Sequence, residues 1–191
     1  MIKGLHHNAY RCRDSEETRR FYEDFLGLPL ADAFAIAETK TGRKTDVLHS
    51  FYEMGDGSFL AFFEAPGQPF EFKDQHDYDL HIALEVDDAT LHAMLAKGKA
   101  AGIETRGVSD HGFIRSIYFR DPNGYVIELT AKTVERDREE RERVGRAARQ
   151  ALASWQAAKR VQQAVRAASR GGPARPAAPP NRRRRSTPGR G

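Results

Sequence analysis

The chain has 191 residues, 39% of them hydrophobic and 30% charged, with a net charge of +4. No run of about 18 apolar residues occurs, so no transmembrane helix is expected, and the amino terminus has no apolar stretch of signal-peptide type. The single cysteine, Cys12, excludes an internal disulfide, and the expected setting is reducing and cytoplasmic. The charge is uneven. Residues 133–191 hold 16 Lys and Arg against 5 Asp and Glu, a balance of +11, which leaves −7 for residues 1–132. The basic character therefore belongs to a C-terminal arm and says little about nucleic-acid binding by the main domain.

In chain order, residues 2–11 read as a strand. Asp14 then suits a helix N-cap, with Glu17 at the capping-box position. The helix runs to about Leu26 on an apolar stripe of Phe21, Tyr22 and Phe25, and Gly27 and Pro29 end it. Strand-like stretches follow at about 28–38, 46–54 and 58–64, the last two joined by Gly55-Asp56-Gly57, a hairpin signal. The pattern then restarts. His81 to Asp87 alternates as a strand, Asp88 suits a cap, and a helix runs to about Ala101 before Gly102. Strands are predicted at about 103–109, 113–120 and 125–131, with Asp121-Pro122-Asn123-Gly124 as a tight turn.

The order β-α-β-β-β thus occurs twice. His7 lies seven residues before Asp14, and His81 lies seven before Asp88. This duplication predicts an α+β fold of two pseudo-equivalent modules sharing one core. The domain is expected over 1–132, with modules at about 1–66 and 79–132. Residues 133–170 read as a long helix whose Val144, Ala148, Leu152, Trp155, Val161 and Val165 fall near one face. It is expected to pack on its own domain or on a partner subunit. Residues 171–191, rich in Gly, Pro and Arg, are expected to be a disordered basic tail, dispensable for catalysis. Through Arg182–Arg185 that tail could attract nucleic acid or acidic lipids.

Among seven histidines, His7 and His81 stand out because the duplication puts them at equivalent points. If pseudo-symmetry brings their strands together, both imidazoles face one cavity. In Gly124-Tyr-Val-Ile-Glu-Leu, alternation puts Glu128 between apolar positions, where a carboxylate is costly to bury unless paired or bound to a cation. Two imidazoles and a carboxylate with open positions suit non-haem Fe(II). Two hydrogen-bonded strand histidines and a rim carboxylate would read the same way, and spacing leaves both open.

His-His-Asn-Ala-Tyr-Arg-Cys-Arg-Asp near the start, His81-Ile-Ala-Leu-Glu-Val-Asp, and Asp121-Pro-Asn-Gly-Tyr-Val-Ile-Glu-Leu resemble the vicinal oxygen chelate superfamily over about residues 2–131. The resemblance implies a metal-lined cavity in which His7, His81 and Glu128 hold a divalent ion, Fe(II) with Mn(II) as the alternative. His6 competes in the first strand, and the spacing to the capping aspartate favours His7. The position equivalent to Glu128 in the first module is Ala61, so the site looks like three protein ligands rather than the four of glyoxalase I-type members.

His111, then Ile117-Tyr118, Asp121-Pro122-Asn123-Gly124 and Glu128 resemble the signature of extradiol ring-cleaving dioxygenases, with Ser109 departing from it. That resemblance implies a small one-domain enzyme opening an aromatic diol with O2, with His111 and Tyr118 beside the metal-bound substrate. Where two-domain relatives carry an acid–base histidine, this chain has Ser58 or Phe59, and His49 is a candidate substitute. Two further functions fit the same fold. One is another metal-dependent enzyme (a glyoxalase-like lyase, isomerase or thiol transferase), and the other is a metal-free drug-binding resistance protein. A homo-oligomer is expected by resemblance.

Overall fold

The computed structural model describes residues 1–74 and 76–170, and the tail expected to be disordered lies outside these residues. Strand β1 (His7–Cys12) leads into helix α1 (Ser15–Arg19), which continues as a π-helical segment, Arg20–Phe25. Asp14 is the N-cap, as expected, and accepts from the Glu17 backbone N–H at 2.8 Å. The Glu17 side chain does not close the capping box but pairs with Arg13. In the π segment, Leu26 N–H donates to the Phe21 carbonyl at 2.9 Å, one residue further back than in an α-helix. Gly27, at φ 85°, then turns the chain.

Strands β2 (Leu30–Glu38), β3 (Lys44–Glu53) and β4 (Phe59–Glu64) complete the first sheet in the order β1-β4-β3-β2, with β1 parallel to β4 and the rest antiparallel. The second module repeats the plan. It contains β5 (His81–Glu85), α2 (Asp88–Ala100), β6 (Thr105–Asp110), β7 (Ile114–Arg120) and β8 (Val126–Lys132), in the order β5-β8-β7-β6. The cap of α2 is Asp87 rather than the expected Asp88, because its extended backbone lets the carboxylate accept from Thr90 N–H at 2.6 Å. The predicted duplication is thus present in topology as well as sequence.

Each sheet turns one face to a shared core. On the first sheet Tyr10, Cys12, Tyr52, Leu60 and Phe62 point inward, and on the second Ile82, Ile117, Phe119, Ile127 and Leu129 do. The helical segments lie against these inner faces. Tyr22 packs on Phe62 with ring centroids 4.6 Å apart, and Phe25 meets Phe119 edge-on at 5.2 Å. Gly98 of α2 lies so close to β6 and β7 that a Cβ there would come within 2.5 Å of the Phe119 ring and 2.6 Å of Thr105 Oγ1. Lys97 donates to the Phe25 carbonyl and so ties α2 to the end of the π segment.

A polar joint completes the core. Tyr22 Oη donates to Asp121 Oδ2 at 3.0 Å, the Asp121 carboxylate accepts from Tyr125 N–H at 2.7 Å, and the Asn123 carboxamide accepts from Arg13 N–H at 2.8 Å. The Asp-Pro-Asn-Gly turn therefore also anchors the first module. Beyond Glu135 the described residues form a second compact unit containing helix α3 (Arg138–Arg170). Among the described residues no helix is long and apolar enough to cross a membrane.

Candidate metal centre

Register confirms the pseudo-equivalence on which the site residues were chosen. His7 lies opposite Phe59 and Ala9 opposite Ala61, while His81 lies opposite Val126 and Ala83 opposite Glu128. Ala61 and Glu128 therefore occupy matching positions on matching strands. The first module offers one candidate ligand, His7, and the second offers two.

His81 and Glu128 meet on the outer face of the second sheet, with Nε2 and Oε2 3.3 Å apart. The His81 Nδ1–H donates to the Asp77 carbonyl at 2.6 Å, which leaves the Nε2 lone pair of the neutral ring facing a carboxylate oxygen. Two electron-pair donors at that distance repel unless a proton or a cation lies between them. Glu128 is also only 5% exposed, so water does little to relieve it. The backbone bond to Nδ1 is the support that metal-ligating imidazoles use to fix their tautomer.

Tyr118 lies directly opposite Glu128 across β7 and β8, and its hydroxyl donates to Oε1 at 3.4 Å. His111, on the turn before β7, places Nε2 3.1 Å from that hydroxyl. With Tyr118 donating to Glu128, the His111 Nε2–H is the donor to Tyr118. Burial and the Glu128 charge push the Tyr118 phenol above its usual pKa. Arg106 lies over the Tyr118 ring, 5.2 Å from its centroid, and is held there by two hydrogen bonds to the Asp77 carboxylate at 2.8 and 2.9 Å.

His7 does not join this group within one chain. Among the described residues, no three His, Cys, Asp or Glu side chains converge in a metal-holding cluster. The expectation that one chain brings the His7 and His81 strands around a single cavity is corrected here, for a physical reason. The modules of one chain share their inner, helix-covered faces, and each histidine lies on the opposite face of its strand. His7 alternates with the core residues of β1 and meets Phe51 and His49, at centroid distances of 5.5 and 6.3 Å. His6, the competing candidate, instead bonds His7 through the two Nδ1 atoms at 2.8 Å.

Around His7 the outer face of the first sheet is a wall of rings. His49 stacks on Phe63 at 3.7 Å, and Phe34 stacks on Phe51 at 5.9 Å. His49 thus stands beside His7, while its Nδ1–H donates to the Phe62 carbonyl at 3.0 Å. Ser58 is bonded to Asp56 in the hairpin turn. Cys12 is buried in the core, and burial raises its thiol pKa. A cavity of about 470 Å³ opens elsewhere, bounded by Leu28, Met54, Leu84, Met94 and Leu129, and includes none of the predicted site residues.

Comparison with known proteins agrees with this architecture. The profile of the Glyoxalase/Bleomycin resistance protein/Dioxygenase superfamily matches residues 4–129, and the chain belongs to that superfamily. It is 26% identical over 140 residues to a metallothiol transferase, FosB, of Shouchella clausii, a match covering 70% of this chain and 84% of that protein. Similar solved structures include the fosfomycin resistance protein FosX of Listeria monocytogenes complexed with Mn(II) and sulfate. It has a TM-score of 0.53 and 23% identity, covering 74% of this chain and 98% of that one. A glyoxalase/dioxygenase of Nostoc punctiforme matches with a TM-score of 0.53 and 21% identity, covering 69% and 92%. At these identities the solved structures speak for the fold.

Residues that sequence reasoning missed are Asp77 and Arg106. Asp77 acts on His81 through its backbone carbonyl, which no side-chain pattern marks. Arg106 sits on a strand with no spacing signal of its own.

Proposed function

We propose that this chain is a divalent-metal-dependent enzyme whose centre is shared between two copies, His7 coming from one and His81 with Glu128 from the other. The observation that carries this is the 3.3 Å approach of His81 Nε2 to Glu128 Oε2, beside which the same chain brings no third ligand among the described residues. A two-fold pairing of outer faces supplies His7 to each half-site and makes two equivalent centres per dimer. Two imidazoles and a carboxylate suit Mn(II) or Fe(II), since ligand type does not separate those ions. Such an ion, when bound, supplies Lewis acidity that polarises a substrate oxygen.

The reaction this arrangement best supports is addition of a thiol or water to an electrophilic carbon beside an oxygen held at the centre. The metallothiol transferase relative supports this class. A carbon–oxygen bond breaks, a carbon–sulfur or carbon–oxygen bond forms, and the proton of the nucleophile goes to the released oxygen. Tyr118 orients that oxygen through its hydroxyl, and His111 holds a proton at Nε2 within reach of the same hydroxyl.

A second reading, ring opening of an aromatic diol with O2, is favoured by three observations. His111 and Tyr118, which the extradiol resemblance puts beside the substrate, are hydrogen-bonded to each other, and the wall around His7 is made of rings. Two cations beside Tyr118 are paired, Arg106 with Asp77 and Arg120 with Glu104 at 3.2 Å. An anionic substrate group would compete with those carboxylates, whereas a neutral ring would not.

One sample separates the readings. The protein is loaded with Mn(II) or Fe(II) and assayed for thiol consumption with an epoxide, and for O2 uptake with a catechol. Thiol loss without O2 uptake supports the transferase reading, and O2 uptake with catechol supports the second. Metal analysis of His81→Ala tests the centre itself, because unchanged stoichiometry removes the assignment.

A further inference from the structure

The outer face of the first sheet carries a cation that the metal centre does not use. On β1, Tyr10 and Cys12 face the core, so alternation puts Arg11 on the opposite face with His7. Among the described residues no carboxylate pairs with its guanidinium. Nη1 donates to the neutral Gln68 side chain at 3.2 Å, and Nε is buried without a hydrogen-bond partner among the described residues. Arg106 and Arg120 of the second sheet differ, since each has a carboxylate partner. A buried donor without an acceptor is costly, and a charged one more so.

A band of rings starts beside Arg11. Arg11 lies opposite Phe63, Phe63 opposite His49, and His49 opposite Phe34, one row across all four strands. At about 4.8 Å between strands, the rings rise from the sheet between roughly 5 and 15 Å from β1. His49 stacks on Phe63 at 3.7 Å and meets Phe34 edge-on at 5.6 Å, and Phe34 is 44% exposed. Cation and rings together select a ligand. A small inorganic anion would use Arg11 and leave the rings. A neutral aromatic would use the rings and leave the guanidinium unpaired. A dianion such as a phosphonate brings more charge than one unpaired guanidinium offsets. An aromatic monocarboxylate uses both, because the guanidinium fork matches a carboxylate and the rings offer faces and edges to a flat apolar group.

We propose that this face is a binding site for an aromatic monocarboxylate, with the carboxylate on Arg11 and the ring against Phe63 and Phe34. The site is built by one copy and stands without the shared metal centre, although His7 begins the same strand.

The full chain is titrated by calorimetry with phenylpropanoate, phenylpropanol and propanoate. The acid should bind at least about tenfold more tightly than the alcohol, the effect expected of a hydrogen bond to a charged group. Propanoate, which lacks the ring, should bind more weakly than phenylpropanoate by about the same factor. Arg11→Gln should lower the acid to the affinity of the alcohol. Arg11→Lys keeps the charge without the fork and should retain part of the preference. Phe34→Ala should weaken acid and alcohol alike, by about threefold. His81→Ala should bind the acid as the unmutated protein does, because the site takes nothing from the metal centre. Failure of the metal assignment therefore leaves this test intact.

Four results would overturn the proposal. Equal affinity for acid and alcohol would show that the cation takes no part. Propanoate binding as tightly as phenylpropanoate would remove the rings from the site. An unchanged preference for the acid in Arg11→Gln would place the carboxylate elsewhere. Loss of acid binding in His81→Ala would assign the carboxylate to the metal centre. The first two readouts use the unmutated protein, so they decide the matter even if Arg11→Gln fails to fold.

Discussion

The Asp77 carbonyl accepts from His81 Nδ1 at 2.6 Å, and this one bond joins the linker between the modules to the candidate metal centre. The side chain of the same residue holds Arg106, which in turn covers Tyr118. One loop residue therefore sets the tautomer of His81 through its backbone and the cover of a neighbouring phenol through its carboxylate.

Arg106 holds the Asp77 carboxyl below its ordinary pKa, chiefly by hydrogen bonding. A depressed carboxylate pKa stabilises the fold above the unfolded value near 4, and that contribution is lost as pH falls through the folded value. Arg106→Ala should return Asp77 upward to the ordinary carboxylate range, which a carboxyl-carbon NMR titration reads directly. The pair is partly exposed, with side-chain exposures of 46% and 31%, so the stability change should not exceed about 1 kcal/mol. An unmoved Asp77 titration would show that the pair does not form.

A centre shared between two copies, as proposed, makes a prediction that a single-chain site cannot. His7→Ala and His81→Ala should each be inactive and short of metal. When the two variants are mixed and allowed to exchange subunits, each mixed dimer regains one intact centre and has one doubly defective centre. With random exchange, activity should recover to about a quarter of the unmutated level, as two-fold symmetry requires. No recovery after verified exchange would place all three ligands in one chain.

Much of this was legible from residues alone, and the limits have physical causes. Duplication identified His7 with His81, alternation isolated Glu128, and the offset from Gly57 and Gly124 identified Ala61 as the missing fourth position. All three rest on periodicity, which strands preserve. Sequence could not tell which faces of the two modules meet, because both faces of each sheet are lined with apolar or aromatic side chains. Nothing in the sequence separates the outer rings Phe34, Phe51 and Phe63, which line the face around His7, from core aromatics. The π-helical segment was also hidden, since Phe21, Tyr22 and Phe25 keep helical spacing in either helix type.

Asp121 gives the opposite pH behaviour to Asp77. Burial raises its pKa, although hydrogen bonds from Asn123, Tyr125 and Tyr22 pull it down. A raised folded pKa contributes stability that is complete below the unfolded value and lost as pH rises through the folded one. Asp121→Ala removes that titration but strands the Tyr22 hydroxyl and the Tyr125 and Asn123 N–H groups. The expected cost is about 3 kcal/mol in urea unfolding at neutral pH, from buried donors left unpaired. Tyr22→Phe, which removes the donor instead, should cost about 1 kcal/mol. Equal costs for the two would mean that the carboxylate does not organise the joint.

His111 is the remaining test of chemistry against architecture. It touches Tyr118 at 3.1 Å but neither His81 nor Glu128 directly, and it lies on a turn rather than in the core. Its loss should therefore leave fold and metal content intact. If it moves a proton in the reaction, His111→Ala should lower turnover by about 10²–10⁴-fold, the range for losing a positioned acid–base group. Tyr118→Phe should act differently, because the phenol orients substrate oxygen and also bonds Glu128. It should raise KM and lower turnover together, with a smaller loss than His111→Ala. The two variants share one hydrogen bond, so the double variant should cost less than the sum of the single ones. Turnover of His111→Ala equal to the unmutated protein, at matched metal content, would remove His111 from the reaction and leave Tyr118 bonded to Glu128 alone.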